Sequence, residues 1–297
     1  MLEYPLVSIG MPIYNRTVSL RKALESIINQ NYKNIEVIIS DNCSPNAEVE
    51  RIIKNFMEKD PRIKYFKQEK NIGAANNFKF VFEKSNGEYF MWASDDDLWK
   101  NEFIEEGINF LLNNPNYQAW FSTIENIDTF DHVIRKYSSF ERFSSTKYRF
   151  IDVVKFVSEA EILGKANIIY SVYKKKSLEK IVNNMYFINE KWGSDNCFNL
   201  AFLTQHNIYC SDRVLIQKRI ERETDNMESI NPIIIDSPQF HIFPFSKSIE
   251  YIKENFKATK STQYWPIVCV VLLIRVLISF RNFLLTRFNN IRKIINA

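Results

Sequence analysis

Residues 6–44 read LVSIGMPIYNRTVSLRKALESIINQNYKNIEVIISDNCS. The run Leu6–Pro12 is mostly apolar and ends at a proline, as a buried strand does. Ile13-Tyr14-Asn15-Arg16 follows as a loop. Thr17 stands where a helix is capped, and Leu20, Leu24, Ile27 and Ile28 recur at the spacing of one helical face. Ile35–Ser40 is a second, β-branched strand, closed by the polar run Asp41-Asn42-Cys43-Ser44. Strand, helix, strand is the unit of a parallel sheet, because a parallel neighbour needs a crossover and a helix supplies it.

The alternation continues outward from this stretch. A helix around Glu48–Lys59, a short strand Ile63–Phe66, a loop Asn71-Ile72-Gly73, a helix from Ala74 to about Lys84 and a strand Glu88–Trp92 are expected in turn. The fold class is therefore α/β, with a mostly parallel sheet covered by helices on both faces. Ligands in such sheets sit outside the carboxyl ends of the strands. Those ends carry Pro12–Arg16, Asp41–Ser44 and the run Ala93-Ser94-Asp95-Asp96-Asp97-Leu98-Trp99. Three adjacent carboxylates repel one another and are costly to bury unpaired. A hard divalent cation, magnesium or manganese, takes oxygen ligands and would present a phosphorylated substrate there. Taken alone, the run reads equally well as a solvated acidic turn that caps the helix near Asn101.

The second half is less regular. A helix near Asn101–Leu112 stops before Pro115, and strands are expected at Tyr117–Ile124, His132–Ser138, Ile168–Tyr173 and Ile208–Arg219. Ile151–Leu163 and Asp195–Leu203 have helical spacing, and Lys174-Lys175-Lys176 reads as a basic turn. No internal repeat is visible. With 297 residues, 45% of them hydrophobic, and few glycines, the chain can bury a large core and is neither collagen-like nor of low complexity. Cys43, Cys197, Cys210 and Cys269 form no CxxC pair, which points to reduced thiols rather than a disulfide frame or a zinc site. His132, His206 and His241 form no ligand pair. The N-terminus shows no charged-then-apolar leader, so no secretory signal is expected.

Four stretches, residues 6–16, 35–44, 71–77 (NIGAANN) and 93–99 (ASDDDLW), resemble in order and spacing the nucleotide-sugar half of glycosyltransferase family 2. The similarity runs over roughly the first 115 residues. It implies a GT-A fold and transfer of a sugar from a nucleoside diphosphate, with inversion at the anomeric carbon. It divides the chain into a nucleotide-sugar half (1–115), an acceptor half (116–230) and a C-terminal tail (231–297). Carried over position by position, Pro12 and Tyr14 resemble the loop against the nucleoside. Asp41 resembles the carboxylate that receives the base N–H, and Asn71 and Gly73 the loop that completes the pocket. Asp41 also reads as a turn former after a strand, a role that can coexist with binding, and Asn71 with Gly73 reads equally as an ordinary turn before a helix. A common family form is Asp-x-Asp-Asp before an apolar residue and Trp. Aligned on Leu98-Trp99, its first Asp falls on Ser94, and Asp96 takes the metal-binding position. Asp95 then reaches the ribose or a metal-bound water, and Asp97 orients the site, caps the next helix or serves as a weaker candidate metal ligand. The implied cofactor is Mn2+ or Mg2+.

Inverting transfer also needs a carboxylate to take the acceptor proton. Trp192-Gly193-Ser194-Asp195-Asn196 resembles the family's Glu-Asp segment at the start of a helix, with Ser194 in the place of Glu. Asp195 is thus the expected general base, with a helix N-cap as the plainer alternative. Lys218-Arg219-Ile220-Glu221-Arg222 falls where the family often carries basic residues near the diphosphate. Arg219 or Arg222 is a candidate phosphate contact, or the run is a solvated face.

The tail reads differently from the body. From Lys257 onward there are seven Lys or Arg and no Asp or Glu, so residues 1–256 carry the difference from the total of +4, a net of −3. Tyr264–Phe280 is apolar but interrupted by Arg275, short of the ~20 apolar residues of a span. Arg275, Ser279, Asn282, Thr286, Asn289, Asn290 and Lys293 then share one helical face, opposite Leu277, Phe280, Leu284, Phe288 and Ile291. That design suits a helix lying in an anionic membrane surface, peripheral or monotopic, on the cytoplasmic face of the inner membrane. Packing on the protein itself, on a second copy as a homodimer, or a single span are the alternatives. The charge distribution argues against nucleic acid. The expected partners are a nucleoside-diphosphate sugar, with a UDP-sugar favoured, and a lipid-linked or oligosaccharide acceptor. A lack of multiple spans argues against a processive secreting synthase. A sugar-1-phosphate nucleotidyltransferase would want glycines in the loop after the first strand, which residues 12–16 lack. A membrane-bound scaffold that binds nucleotide without turnover is the non-enzymatic alternative.

Overall fold

The computed structural model describes residues 4–159, 163–183, 194–220, 244–274 and 277. Strands β1 (Val7–Ile13), β2 (Ile35–Asp41), β3 (Ile63–Lys67) and β4 (Tyr89–Trp92) pair in parallel. Helices α1 (Val18–Ile28), α2 (Ala47–Met57) and α3 (Ala74–Glu83) make the crossovers. β2 is buried along its whole length, as a strand covered on both faces must be. At Gly10 an added Cβ would stand 2.7 Å from Val81 Cγ2 and 2.8 Å from Phe90 Cζ. Glycine there lets α3 lie directly on β1, which fixes the loops at the carboxyl end of the sheet.

Among the described residues the sheet has nine strands, ordered β3-β2-β1-β4-β8-β6-β9-β5, with β7 paired to β6. β8 (Val172–Lys174) lies antiparallel between β4 and β6 (Ala119–Ile127), so β6 runs in the same direction as β4. β9 (Ile208–Arg219) is parallel to β6, and the two-residue β5 (Leu98–Trp99) pairs antiparallel with β9. β7 (Val133–Lys136) closes a hairpin on β6. The ends of β1, β2, β4, β6 and β9 therefore meet along one edge. Helices α4 (Phe103–Asn113), α5 (Arg149–Ser158), α6 (Lys175–Asn183), α7 (Ser194–Leu203) and α8 (Pro244–Thr259) belong to the second half.

The opposite edge of the sheet is closed by polar groups that satisfy one another. Glu36 accepts from Ser8 Oγ at 2.6 Å, Lys64 Nζ at 2.7 Å and the Asn86 N–H at 2.6 Å. Burial would raise its carboxyl, but the hydrogen bonds from Lys64, Ser8 and Asn86 outweigh it and hold the pKa at about 2. A network so completed has structural work and no spare valence for a ligand.

Several expectations are corrected. Ile168–Tyr173 is not one strand: a 3₁₀ helix, Lys165–Tyr170, precedes the short β8. Ser171 Oγ and Tyr173 Oη both donate to the Ile168 carbonyl, at 2.6 and 2.9 Å, and that breaks the extended run. Lys174–Lys176 is not a turn, because α6 begins at Lys175, driven by burial of Leu178, Ile181 and Val182 on one face. α5 ends at Ser158, short of Leu163, with Glu159 already extended. Thr17 holds the N-cap position of α1 but makes no side-chain cap hydrogen bond.

Toward the C-terminus, α8 packs on α7, burying Asn255, Ala258 and Thr259. Residues 265–274 are helical, with Val268 and Leu272 turned inward. Trp265, Val270, Leu273, Ile274 and Leu277 stay exposed, Leu277 at 66%. Among the described residues no helix is long and apolar enough to cross a membrane. The expected amphipathic face beyond Leu277 lies outside the described residues.

Candidate functional site

The loop after β1 is the first wall of the site. Pro12 is the penultimate residue of β1, opposite Ser40 of β2, and Tyr14 just beyond the strand is 47% exposed. Asn15 adopts a positive φ of 54°, and its N–H donates to Ser44 Oγ at 2.8 Å, which ties this loop to the one after β2. Asp41, the last residue of β2, is fully buried. One of its oxygens accepts the Ser44 N–H at 2.8 Å and the other the Tyr65 hydroxyl at 2.9 Å. Burial, and next the bond to Asp41, raise the Tyr65 pKa, so the phenol stays a donor. The turn-forming role of Asp41 is thus present, and its carboxylate braces the pocket wall.

Asn42 was not singled out from sequence. Its Nδ2 donates to Asn71 Oδ1 at 2.9 Å, and its Oδ1 accepts the Ile72 N–H at 2.8 Å. Asn71 Oδ1 also receives the Gly73 N–H at 2.8 Å. Gly73 caps α3 at φ 83°, a conformation that favours glycine. The structure therefore brings Asn71 and Gly73 onto the rim formed by Asp41–Ser44.

The acidic run after β4 divides into two functions. Asp97 is fully buried and turned toward β9, where it pairs with Lys218 Nζ and accepts the Arg219 N–H at 3.0 Å. Burial would lower the Lys218 amine, but the Asp97 charge and hydrogen bond hold it above the ordinary lysine value. Asp95 and Asp96 face the β1 loop instead. Asp95 accepts the Tyr14 N–H at 3.4 Å, and Asp96 accepts the Ser94 hydroxyl. Arg16 bridges the two, 3.5 Å from Asp95 and in contact with Asp96. Burial nevertheless pushes the Asp95 carboxyl up to about 6, against the opposing pull of Arg16. Two buried carboxylates with one half-exposed guanidinium between them are short of positive charge. Among the described residues no group of three or more His, Cys, Asp or Glu forms a closed metal site. Magnesium and manganese do not need one, since one or two carboxylates plus phosphate oxygens and water complete the shell. The donor set fits such a cation.

Arg219 is not a free phosphate contact. Its guanidinium donates to the carbonyls of Asp96 at 3.0 Å and Asp128 at 2.7 Å, and to Asp131 Oδ1 at 2.5 Å. Asp131 pairs in turn with Lys22 of α1. Arg219 thus welds the acidic run, the β6–β7 hairpin and α1 together. Nor is Lys218–Arg219 a solvated face, since both side chains are mostly buried. Glu221 and Arg222 lie outside the described residues, as do Trp192 and Gly193.

Asp195 stands in the first turn of α7, half-buried, with one oxygen accepting the Asn196 N–H at 2.8 Å. The adjacent Asn196 is buried, and its Oδ1 has no partner among the described residues. Tyr170, which sequence reasoning passed over, lies against Lys218, the partner of Asp97. Lys218 Nζ sits 4.4 Å from its ring centroid. Burial raises its pKa first. Lys218 pulls it down, and the charges of Asp97, Asp195 and Asp95 push it up.

The glycosyl transferase family 2 profile matches residues 8–185. An uncharacterized glycosyltransferase of Haemophilus influenzae is 38% identical over 113 residues, 38% of this chain and 45% of its own length. The GalNAc(5)-diNAcBac-PP-undecaprenol beta-1,3-glucosyltransferase of Campylobacter jejuni is 29% identical over 192 residues, 63% of this chain and 57% of its own length. The chain thus spans about half the length of these curated relatives. Among solved structures, S. aureus TarS 1-349 in complex with UDP-GlcNAc superposes with a TM-score of 0.64 at 16% identity, covering 90% of this chain and 70% of that one. The mannosyltransferase PcManGT of Pyrobaculum calidifontis, in complex with GDP-Man and Mn2+, gives 0.57 at 14% identity, covering 93% and 70%.

Proposed function

The chain belongs to glycosyl transferase family 2 and has the GT-A fold, and from that premise we propose that it moves one sugar, with inversion, from a nucleoside-diphosphate sugar to a lipid-linked glycan. The observation that carries the proposal is the pair of buried carboxylates, Asp95 and Asp96, that faces the loop after β1 at the carboxyl end of the sheet. The Staphylococcus neighbour bound to UDP-GlcNAc supports a UDP-sugar as donor, and the Mn2+ complex of the Pyrobaculum neighbour supports a divalent cation. The Campylobacter relative, named for an undecaprenol-linked glycan, supports the acceptor class.

Asp96, with Asp95, would hold the cation. When bound, the cation supplies positive charge to the leaving diphosphate. Asp97 keeps the run in place through Lys218 and Arg219. Tyr14 and Pro12 flank the nucleoside, and the rim of Asp41, Asn71 and Gly73 completes that pocket. Asp195 takes the proton of the acceptor hydroxyl as that oxygen attacks the anomeric carbon from the face opposite the diphosphate. Residues 1–115 form the donor half of this site and 116–230 the acceptor half. A panel of nucleotide sugars incubated with Mn2+ tests the reading: one donor should be slowly hydrolysed, and Asp96→Asn should abolish that release. Diphosphate release from a nucleoside triphosphate with a sugar phosphate would contradict it.

Residues 231–297 would hold the enzyme on an anionic membrane. The exposed apolar side chains of Trp265, Leu273 and Leu277 support this placement, as does the basic tail that follows. Each basic residue near such a surface adds about 1 kcal/mol. The triple variant Trp265→Ala, Leu273→Ser, Leu277→Ser should lose flotation with phosphatidylglycerol-containing vesicles while keeping its thermal stability. Equal flotation would remove the helix from this role.

A further inference from the structure

Arg16 occupies the oxygens that a cation would need. Its guanidinium lies 3.5 Å from Asp95 and in contact with Asp96. The two carboxylate side chains are 11% and 12% exposed, but the Arg16 side chain is 40% exposed. The acids are fixed by their surroundings and the arginine is the member that can move. The backbone before it is already anchored, since Tyr14 N–H bonds Asp95 and Asn15 N–H bonds Ser44. Only the side chain has to swing.

A dication on Asp95 and Asp96 would meet the guanidinium across the width of one carboxylate, and like charges at that distance repel. Arg16 must therefore leave as the cation enters. Leaving is costly unless a new anion receives it. A diphosphate is such an anion, and guanidinium matches phosphate oxygens in pairs.

Resting on the cation assignment made above, we propose that Arg16 is a built-in counter-ion of the donor carboxylates. It opposes binding of a cation alone and is drawn onto the donor diphosphate when cation and nucleotide arrive together. The resting site keeps one of its two charges paired, and loose divalent ions are opposed until a nucleotide is present. Because linkage is reciprocal, the same exchange makes nucleotide binding depend on the cation.

The test is a Mn2+ titration of the full chain, read as loss of the free-ion electron paramagnetic resonance signal, with and without UDP. Arg16→Gln should bind Mn2+ alone about tenfold tighter than wild type, bind UDP without Mn2+ as wild type does, and bind UDP in saturating Mn2+ about tenfold weaker, so that the coupling shrinks about tenfold. Arg16→Lys keeps the charge and should stay close to wild type for Mn2+ alone, which separates loss of charge from loss of fold. If wild type binds Mn2+ in the presence of UDP and Arg16→Gln binds Mn2+ alone no tighter, the counter-ion role is overturned and the cation site stands. If no variant binds Mn2+ at any UDP concentration, the cation site itself falls and the counter-ion role with it.

Discussion

Asp195→Asn should lower the rate of sugar transfer about a thousandfold, the scale of a lost general base, and leave Mn2+-dependent UDP binding at its wild-type value. The asymmetry follows from where Asp195 sits. It belongs to α7, whereas the cation and nucleotide contacts are assigned to loops after β1, β2 and β4. Asparagine keeps the hydrogen bond to the Asn196 N–H, seen at 2.8 Å in the native chain, so the helix start survives the change. A variant that turns over at a wild-type rate would reduce Asp195 to that capping role. Loss of UDP binding together with turnover would point instead to a collapsed site, and a matching fall in thermal stability would report it.

Asp97→Asn should act on the fold. Asp97 and Lys218 are a buried ion pair, at 0% and 18% side-chain exposure. Removing one partner of such a pair leaves a charge without compensation and costs about 3 kcal/mol or more. For a chain of this length that is about 5 °C in the unfolding midpoint. Thermal denaturation in a chelating buffer reads the effect without any contribution from a cation. The double variant Asp97→Leu, Lys218→Met removes both charges and should recover much of the loss. Were Asp97 chiefly a cation ligand, the single variant would melt near wild type in chelator and lose stability only relative to the Mn2+-loaded protein.

The parallel half of the fold was readable because its signals are local. Each of the first four strands is a short apolar run ending in polar residues, and the helices between them carry their apolar positions at helical spacing. The same locality made Asp41, Asn71, Gly73 and the acidic run visible as polar strand ends. What stayed hidden depends on partners far apart in sequence. Lys218 and Arg219 look like a solvated basic run until β9 sets them against Asp97, 121 and 122 residues away. Arg16 looks like an ordinary loop residue until Asp95 and Asp96 come to face it. Tyr170 sat inside an apolar run that read as a strand, and only the bonds of Ser171 and Tyr173 to the Ile168 carbonyl turn that run into a 3₁₀ helix. Asn42 gave a polar signal but no hint that its amide would pin the loop after β3.

A crystal grown with UDP and Mn2+, with anomalous diffraction recorded at the manganese edge, addresses the whole assignment at once. The anomalous peak should lie on the Asp96 carboxylate and on the diphosphate, with Arg16 turned away from the acids and Asp195 on the far side of the donor's sugar position. A peak bound elsewhere, or nucleotide seated with no manganese near Asp96, would contradict it.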